Sequence, residues 1–143
     1  MSIEKLRIQI DQNLSTLVER YSAELIELDP QLIQVAEALK DFLAHGKRFR
    51  SIFALIGYLG AGGELRPEIY RACATLEFLQ ASALIHDDLM DGSDTRRGKP
   101  AIHKQFEKLH NSKFGSSAAI LIGDLALTWN ERALHESGLT ASA

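Results

Sequence analysis

Cysteine and proline are scarce in this chain: 143 residues include one cysteine, Cys73, and three prolines. A lone cysteine excludes an internal disulfide and a cysteine-based zinc site, and a reducing cytoplasm is the compartment to expect. Long apolar runs are missing too. The stretch 118–122 is far short of the roughly 20 residues that cross a bilayer. The N-terminus, MSIEKLRIQIDQ, alternates charged and apolar residues and has no continuous apolar core of the kind a signal peptide needs. Nor is there an excess of positive charge. Sixteen Lys and Arg face nineteen Asp and Glu, a formal net charge of −3, which argues against a general nucleic-acid binder. No segment alternates as a strand would, and no internal repeat or low-complexity stretch occurs. What remains, 45% hydrophobic and 24% charged residues, is the make-up of an ordinary globular protein, expected as one domain over residues 1–143.

The apolar residues recur at helical spacing almost throughout. Ile3, Leu6, Ile10, Leu14, Leu17, Tyr21, Leu25 and Leu28 form one stripe of a long amphipathic helix. Asp29-Pro30 reads as a stop and restart, with Asp29 as N-cap and Pro30 in the first turn. Leu32, Val35, Ala36, Leu39, Phe42 and Leu43 mark a second helix. His45-Gly46-Lys47-Arg48-Phe49-Arg50 reads as a basic loop, and 52–59 as a third, mostly buried helix. Pro67 opens a fourth helix running to about Asp91, apolar nearly all round, as a helix in the middle of a bundle is. A polar loop at 92–100, a short helix at 102–109, a loop with Gly115, and a last helix over 117–137 complete the chain, with Gly138 as its stop. The fold class is all-α, a helical bundle.

The chemistry concentrates in His86-Asp87-Asp88-Leu89-Met90-Asp91. Asp87 and Asp91 are four apart and share a helix face, and Asp88 lies about 100° round. All three sit in the last turn, where the helix already carries partial negative charge. Two carboxylates about 6 Å apart repel by roughly 3 kcal/mol at an effective dielectric near 20, so a cation should offset them. Magnesium fits, because it binds through one or two carboxylates plus substrate phosphates and retained waters. A solvated acidic helix end is the plain alternative. The neighbouring basic loop, Asp94-Thr95-Arg96-Arg97-Gly98-Lys99, favours metal and phosphate together, since guanidinium matches phosphate oxygens as a bidentate fork. With Lys47, Arg48 and Arg50, the chain has two basic loops and one carboxylate trio, an inventory suited to two diphosphates.

HGKRFR at 45–50, LIHDDLMDGSDTRRGKPAIH at 84–103 and FGSSAAILIGDLAL at 114–127 resemble the trans-type polyprenyl diphosphate synthases. The resemblance runs along essentially the whole chain but covers only about the N-terminal half of a usual family member. It implies part of the isoprenoid (terpenoid) synthase fold. It also implies that Asp87 and Asp91, with Asp88 in support, hold the Mg2+ ions of an allylic diphosphate. Arg96 would contact that diphosphate directly. Lys47, Arg50, Gln80 and Arg97 would bind isopentenyl diphosphate, and Gln80 falls on the Asp87/Asp91 face. The implied reaction is head-to-tail condensation. An allylic carbocation forms as diphosphate departs, the isopentenyl double bond attacks it, and a proton is lost in a dry apolar pocket.

Further expectations come with the resemblance. Ser82 and Ala83, about one turn before the aspartates, are small. They imply a deep pocket and a product of geranylgeranyl length or longer, with Phe78 as a candidate floor. His45 stands where the family usually has glycine, and would be strained if that position needs positive φ. Ser51 replaces a usual proline and could N-cap the next helix. No second aspartate-rich motif occurs, so the chain alone is expected to be inactive. Ala118, Ala119, Leu121, Ile122, Leu125 and Trp129 of the last helix are expected to seek a partner, giving a homo-oligomer. A non-catalytic partner subunit of a synthase is the alternative, and retention of every ligand of the first site weighs against it. An unrelated acidic bundle is disfavoured by the two basic loops, and a terpene cyclase by the ligands for a second diphosphate.

Overall fold

The structure, a computed structural model, describes residues 2–139. Helix α1, Ile3–Leu28, is capped by the Ser2 hydroxyl, which accepts from the Lys5 N–H at 3.3 Å. Its stripe is buried at Leu6, Ile10, Leu14, Val18 and Tyr21, whereas the end residues Ile3 and Leu28 stay exposed. Asp29 stops it, and its carboxylate accepts from the Gln31 N–H at 2.8 Å. Pro30–Leu32 makes one 3-10 turn before α2, Ile33–Ala44. The expected stop and restart is what forms.

Helix α3, Phe49–Gly60, starts earlier than its apolar pattern suggests. Only Ser51, Ile52 and Leu55 are buried, and Phe49, Phe53 and Ile56 face outward, so the helix expected to be mostly buried covers the core with one face. Helix α4, Pro67–Met90, is the central rod, packed against α1, α2, α3 and the later helices α5 and α6. Its Cys73 thiol is buried, and burial pushes its pKa up to about 11.

The segment expected as a plain polar loop contains a small hairpin. Strand β1, Thr95–Arg96, pairs antiparallel with β2, Lys99–Pro100. The two turn residues both have positive φ, Arg97 at 53° and Gly98 at 77°. That is the pattern of the two-residue turn whose twist matches a hairpin. Strands of two residues are too short to show periodicity, so the Arg-Gly pair was the only sequence sign.

Helix α5, Ile102–Glu107, leads into α6, Ser112–Glu136. Helix α6 begins five residues before the expected 117, capped by the Asn111 side chain, which accepts from the Phe114 N–H at 2.9 Å. Gly115 therefore lies inside the helix. A Cβ there would fall 2.3 Å from the His103 carbonyl oxygen, so glycine serves close approach of α5 and α6, not a loop. Gly138, at φ 86°, follows the helix as a left-handed residue.

Tyr21, Phe78 and Trp129 meet at the centre with ring centroids 5.4–6.1 Å apart. Helix α6 turns Ala119, Ile122, Ala126 and Trp129 inward, so α4 and α5 already cover much of the face expected to seek a partner. Ile120, Leu121, Leu127 and Leu134 remain exposed. At the rim, Arg132 pairs with Glu24 and Glu136, tying α6 to α1, and these bonds hold both glutamates below the usual carboxylate pKa. No helix of the described residues is long and apolar enough to cross a membrane.

Candidate active site

Helix α4 delivers the aspartates and then stops abruptly. The Gly92 N–H donates to the Leu89 carbonyl at 3.3 Å and the Ser93 N–H to the Asp88 carbonyl at 2.9 Å, with Gly92 at φ 65°. This Schellman closure satisfies the last carbonyls and turns the chain back towards the helix. The hairpin that follows places Arg96 against the acids. Both Asp88 oxygens accept from Arg96, at 2.6 and 2.7 Å, with the Asp88 side chain only 3% exposed. The bond to Asp88 holds the Arg96 pKa above its ordinary value, so the guanidinium stays charged. A second contact, 3.8 Å from Arg96 Nη2 to Asp87, extends the network.

The three acids are thus unequal. Asp87 and Asp91 are open to solvent, while both Asp88 oxygens are engaged. Among the described residues, no three His, Cys, Asp or Glu side chains gather as a ligand cluster. Magnesium does not require one, since one or two carboxylates suffice when phosphates and waters complete the octahedron. The hard, exposed oxygens of Asp87 and Asp91 fit that chemistry.

The cations gather in a second place. Lys47, Arg50, Gln80 and Arg97 line one surface cavity of about 570 Å³, with Gly46, Phe49, Arg48 and Glu77. Loop 45–48 and the first turn of α3 supply one wall, α4 the floor, and the hairpin turn the other wall. The Arg97 guanidinium donates to the His45 carbonyl, which joins the hairpin to the loop. Gln80 lies seven residues before Asp87 and so near the same helix face, which directs the cavity towards the acids.

Two local expectations are corrected here. His45 has φ −117° and carries no left-handed strain, which sits instead at Arg48, with φ 55°. Ser51 is no N-cap. Arg48 holds the cap position without a side-chain cap bond, and Ser51 lies inside α3, donating to Glu77 Oε1 at 2.6 Å. Arg48 itself is not a free cation. It donates to Asp11 at 2.7 Å, to the Leu43 carbonyl at 2.7 Å and to Glu77 at 3.2 Å. Sequence reasoning passed over Glu77. Its one visible signal was a carboxylate within the apolar run Leu76-Glu77-Phe78 of a helix that is apolar nearly all round. His86, beside the acids, points away from them: its ring crosses Gly123 and hydrogen-bonds the Ile120 carbonyl at 3.1 Å.

The small residues before the acids divide between faces. Ser82 is buried and Ala83 is exposed beside the exposed Leu79. Phe78, expected as a pocket floor, is fully buried against Tyr21 and Trp129 and lines no cavity.

Known proteins resemble this chain in sequence and in fold. Geranylgeranyl pyrophosphate synthase 12, chloroplastic, of Arabidopsis thaliana is 41% identical over 118 residues, covering 79% of this chain and 30% of that protein. The short chain isoprenyl diphosphate synthase of Methanocaldococcus jannaschii is 31% identical over 115 residues, 80% of this chain and 32% of that one. The chain thus spans about a third of the length of these curated relatives. The crystal structure of a geranylgeranyl pyrophosphate synthase from Corynebacterium glutamicum, complexed with isoprenyl diphosphate and magnesium, superposes with a TM-score of 0.90. It is 34% identical, and the match covers 99% of this chain and 43% of that one. Helix α1 therefore has a counterpart there, although the family model begins only at α2. That model, polyprenyl synthetase, matches residues 33–141, and with the bundle and its carboxylate-ended central helix already in view the chain belongs to the polyprenyl synthetase family.

Proposed function

We propose that this chain forms the first-aspartate wall of a magnesium-dependent prenyltransferase site, which joins isopentenyl diphosphate to an allylic diphosphate. The observation that carries this reading is the convergence of Lys47, Arg50, Gln80 and Arg97 on one cavity, with Gln80 about two turns before the open pair Asp87 and Asp91 on α4. Three cations and an amide suit the oxygens of one diphosphate bound without metal. Asp87 and Asp91 would hold Mg2+, which when bound supplies Lewis-acid stabilisation of charge on a departing diphosphate. Arg96, oriented by Asp88, faces the same allylic diphosphate, and the engagement of both Asp88 oxygens favours an orienting role for that residue over a ligand's.

The exposed face of α4 around Leu79 and Ala83 is small and apolar. It supports an extended prenyl chain, of geranylgeranyl length or longer, kept from water. The exposed residues Ile120, Leu121 and Leu127 of α6 support self-association through that helix. The buried lone cysteine and the absence of a membrane-crossing helix among the described residues are compatible with the cytoplasm.

Calorimetry with isopentenyl diphosphate tests the reading. Residues 1–143 should bind it, and Lys47→Gln or Arg50→Gln should each weaken binding by about tenfold, the loss of a charge-assisted contact. An assay with an allylic diphosphate and Mg2+ should show no condensation by these residues alone. Absence of binding would refute the site, and robust condensation would refute the claim that this wall is insufficient by itself.

A further inference from the structure

At the base of the cationic cavity Glu77, Arg48 and Ser51 form a polar cluster. Glu77 rises from α4 into the core, with its side chain 8% exposed. One oxygen accepts from the Ser51 hydroxyl at 2.6 Å and the other from Arg48 Nη1 at 3.2 Å. The Arg48 side chain is 5% exposed. Its Nε donates to Asp11 of α1 and its Nη2 to the Leu43 carbonyl at the end of α2. One guanidinium thus joins α1, α2 and α4 at the point where the basic loop enters α3. The residue that carries it has left-handed backbone, at φ 55°. For a residue with a Cβ that conformation is unfavourable, and it persists where its surroundings over-determine it.

Gly46 completes the arrangement. A Cβ there would lie 2.8 Å from Arg48 Nη1. A free arginine tip would move aside, but this one is fixed by three acceptors. Glycine lets the loop backbone rest on the guanidinium, with Lys47 next in the chain and Arg50 two residues beyond Arg48.

We propose that Glu77, acting through Arg48, is the positioning residue of the cationic cavity, setting the loop so that Lys47 and Arg50 converge on one anion. The proposal rests on the reading of that cavity as a diphosphate site. Glu77 and Arg48 are paired with each other at the base of the cavity, so Lys47, Arg50 and Arg97 supply the attraction and the pair supplies the geometry.

The sign of one effect separates geometry from charge. Glu77 is an anion beneath an anion site, so on Coulomb's law alone its neutralisation tightens binding. Positioning demands the reverse. Inorganic pyrophosphate is titrated into residues 1–143 and into Glu77→Gln, with Ile122→Ala as a control of lowered stability remote from the cavity, all below their melting ranges. Glu77→Gln is expected to weaken binding by about tenfold, the scale seen when partners behind ligand groups are removed. Ile122→Ala should leave it unchanged. Should Glu77→Gln fail to fold, Ser51→Ala removes one bond to Glu77 and keeps every charge, and about threefold weakening is expected. Unchanged or tighter binding in either variant overturns the proposal, as does equal weakening in the Ile122→Ala control. If Lys47→Gln and Arg50→Gln also leave the affinity of the parent chain unaltered, the reading of the cavity itself has failed. If those two weaken binding and Glu77→Gln does not, only the positioning role has.

Discussion

Segments 45–50 and 93–100 each hang from a buried carboxylate of α4. Glu77 holds Arg48 in the first and Asp88 holds Arg96 in the second. The two acids are eleven residues apart, about three helical turns, and so lie on nearly one face of the rod. Each segment also contains one left-handed arginine, Arg48 at φ 55° and Arg97 at φ 53°. The difference lies in which arginine is enclosed. In the first segment the left-handed residue is the buried one, and its guanidinium reaches three elements. In the second the left-handed residue is exposed, and the clamped Arg96 side chain remains 25% exposed, with its acid partners Asp87 and Asp88 both on one helix end. A nearly buried cation whose donors are taken by three acceptors serves geometry. A partly open one can also share its donors with a phosphate. On the proposed reading the first segment presents ligands from a fixed base, and the second makes its clamp part of the site.

The largest effect that could break this comparison is on stability. Arg48→Met leaves Glu77 buried without its charge partner and should cost about 3–5 kcal/mol. Arg96→Met opens Asp88 to water and should cost less, roughly 1–3 kcal/mol. Urea denaturation of both variants checks the order, and equal losses would erase the distinction. Next comes ligand binding. Arg96→Met, studied while folded, should weaken magnesium-dependent binding of an allylic diphosphate by about tenfold, because a bidentate donor is lost. An unaltered affinity would make Arg96 as purely structural as Arg48.

Arg97→Gly sharpens the contrast with opposite signs. Removing the Cβ relieves the left-handed turn by about 1 kcal/mol while deleting a cavity ligand, so stability should rise as affinity for isopentenyl diphosphate falls. Thermal melts and calorimetry on the same sample report both. A drop in stability would mean that the bond from Arg97 to the His45 carbonyl outweighs the backbone strain.

The smallest effect lies away from the site. Glu24 and Glu136 have folded pKa values depressed below the ordinary one by Arg132. A depressed carboxylate contributes stability that is complete above its unfolded pKa and lost as pH falls through the folded value. Parent stability should therefore decline below about pH 4.5, the usual glutamate value, and Arg132→Met should flatten that limb. An identical acid limb in both proteins would remove the α1–α6 rim from the account.

The sequence revealed the fold where burial and period coincide. The stripe of α1, the Asp29-Pro30 break and the all-round apolarity of α4 were legible because a long helix repeats its signal. The early start of α6 was not, because Gly115 signals a loop unless the close approach to the His103 carbonyl is known. The hairpin escaped because two-residue strands have no period. Within the candidate site, Asp87, Asp91 and the cations stand out in the sequence by type and spacing. Arg48 and Glu77 did not, since an arginine among lysines and arginines reads as one more surface charge. Its burial depends on Asp11 and Leu43 from other helices, a fact of tertiary structure.

On the proposed reading this wall holds two separable anion sites, one that requires metal and one that does not. Calorimetric titration of residues 1–143 with pyrophosphate, in Mg2+ and again in a chelator, tests it most directly. The account predicts two binding events in Mg2+. The chelator or the double variant Asp87→Asn/Asp91→Asn should remove one, and Lys47→Gln/Arg50→Gln the other. A single event abolished equally by either pair, or binding indifferent to Mg2+, would contradict it.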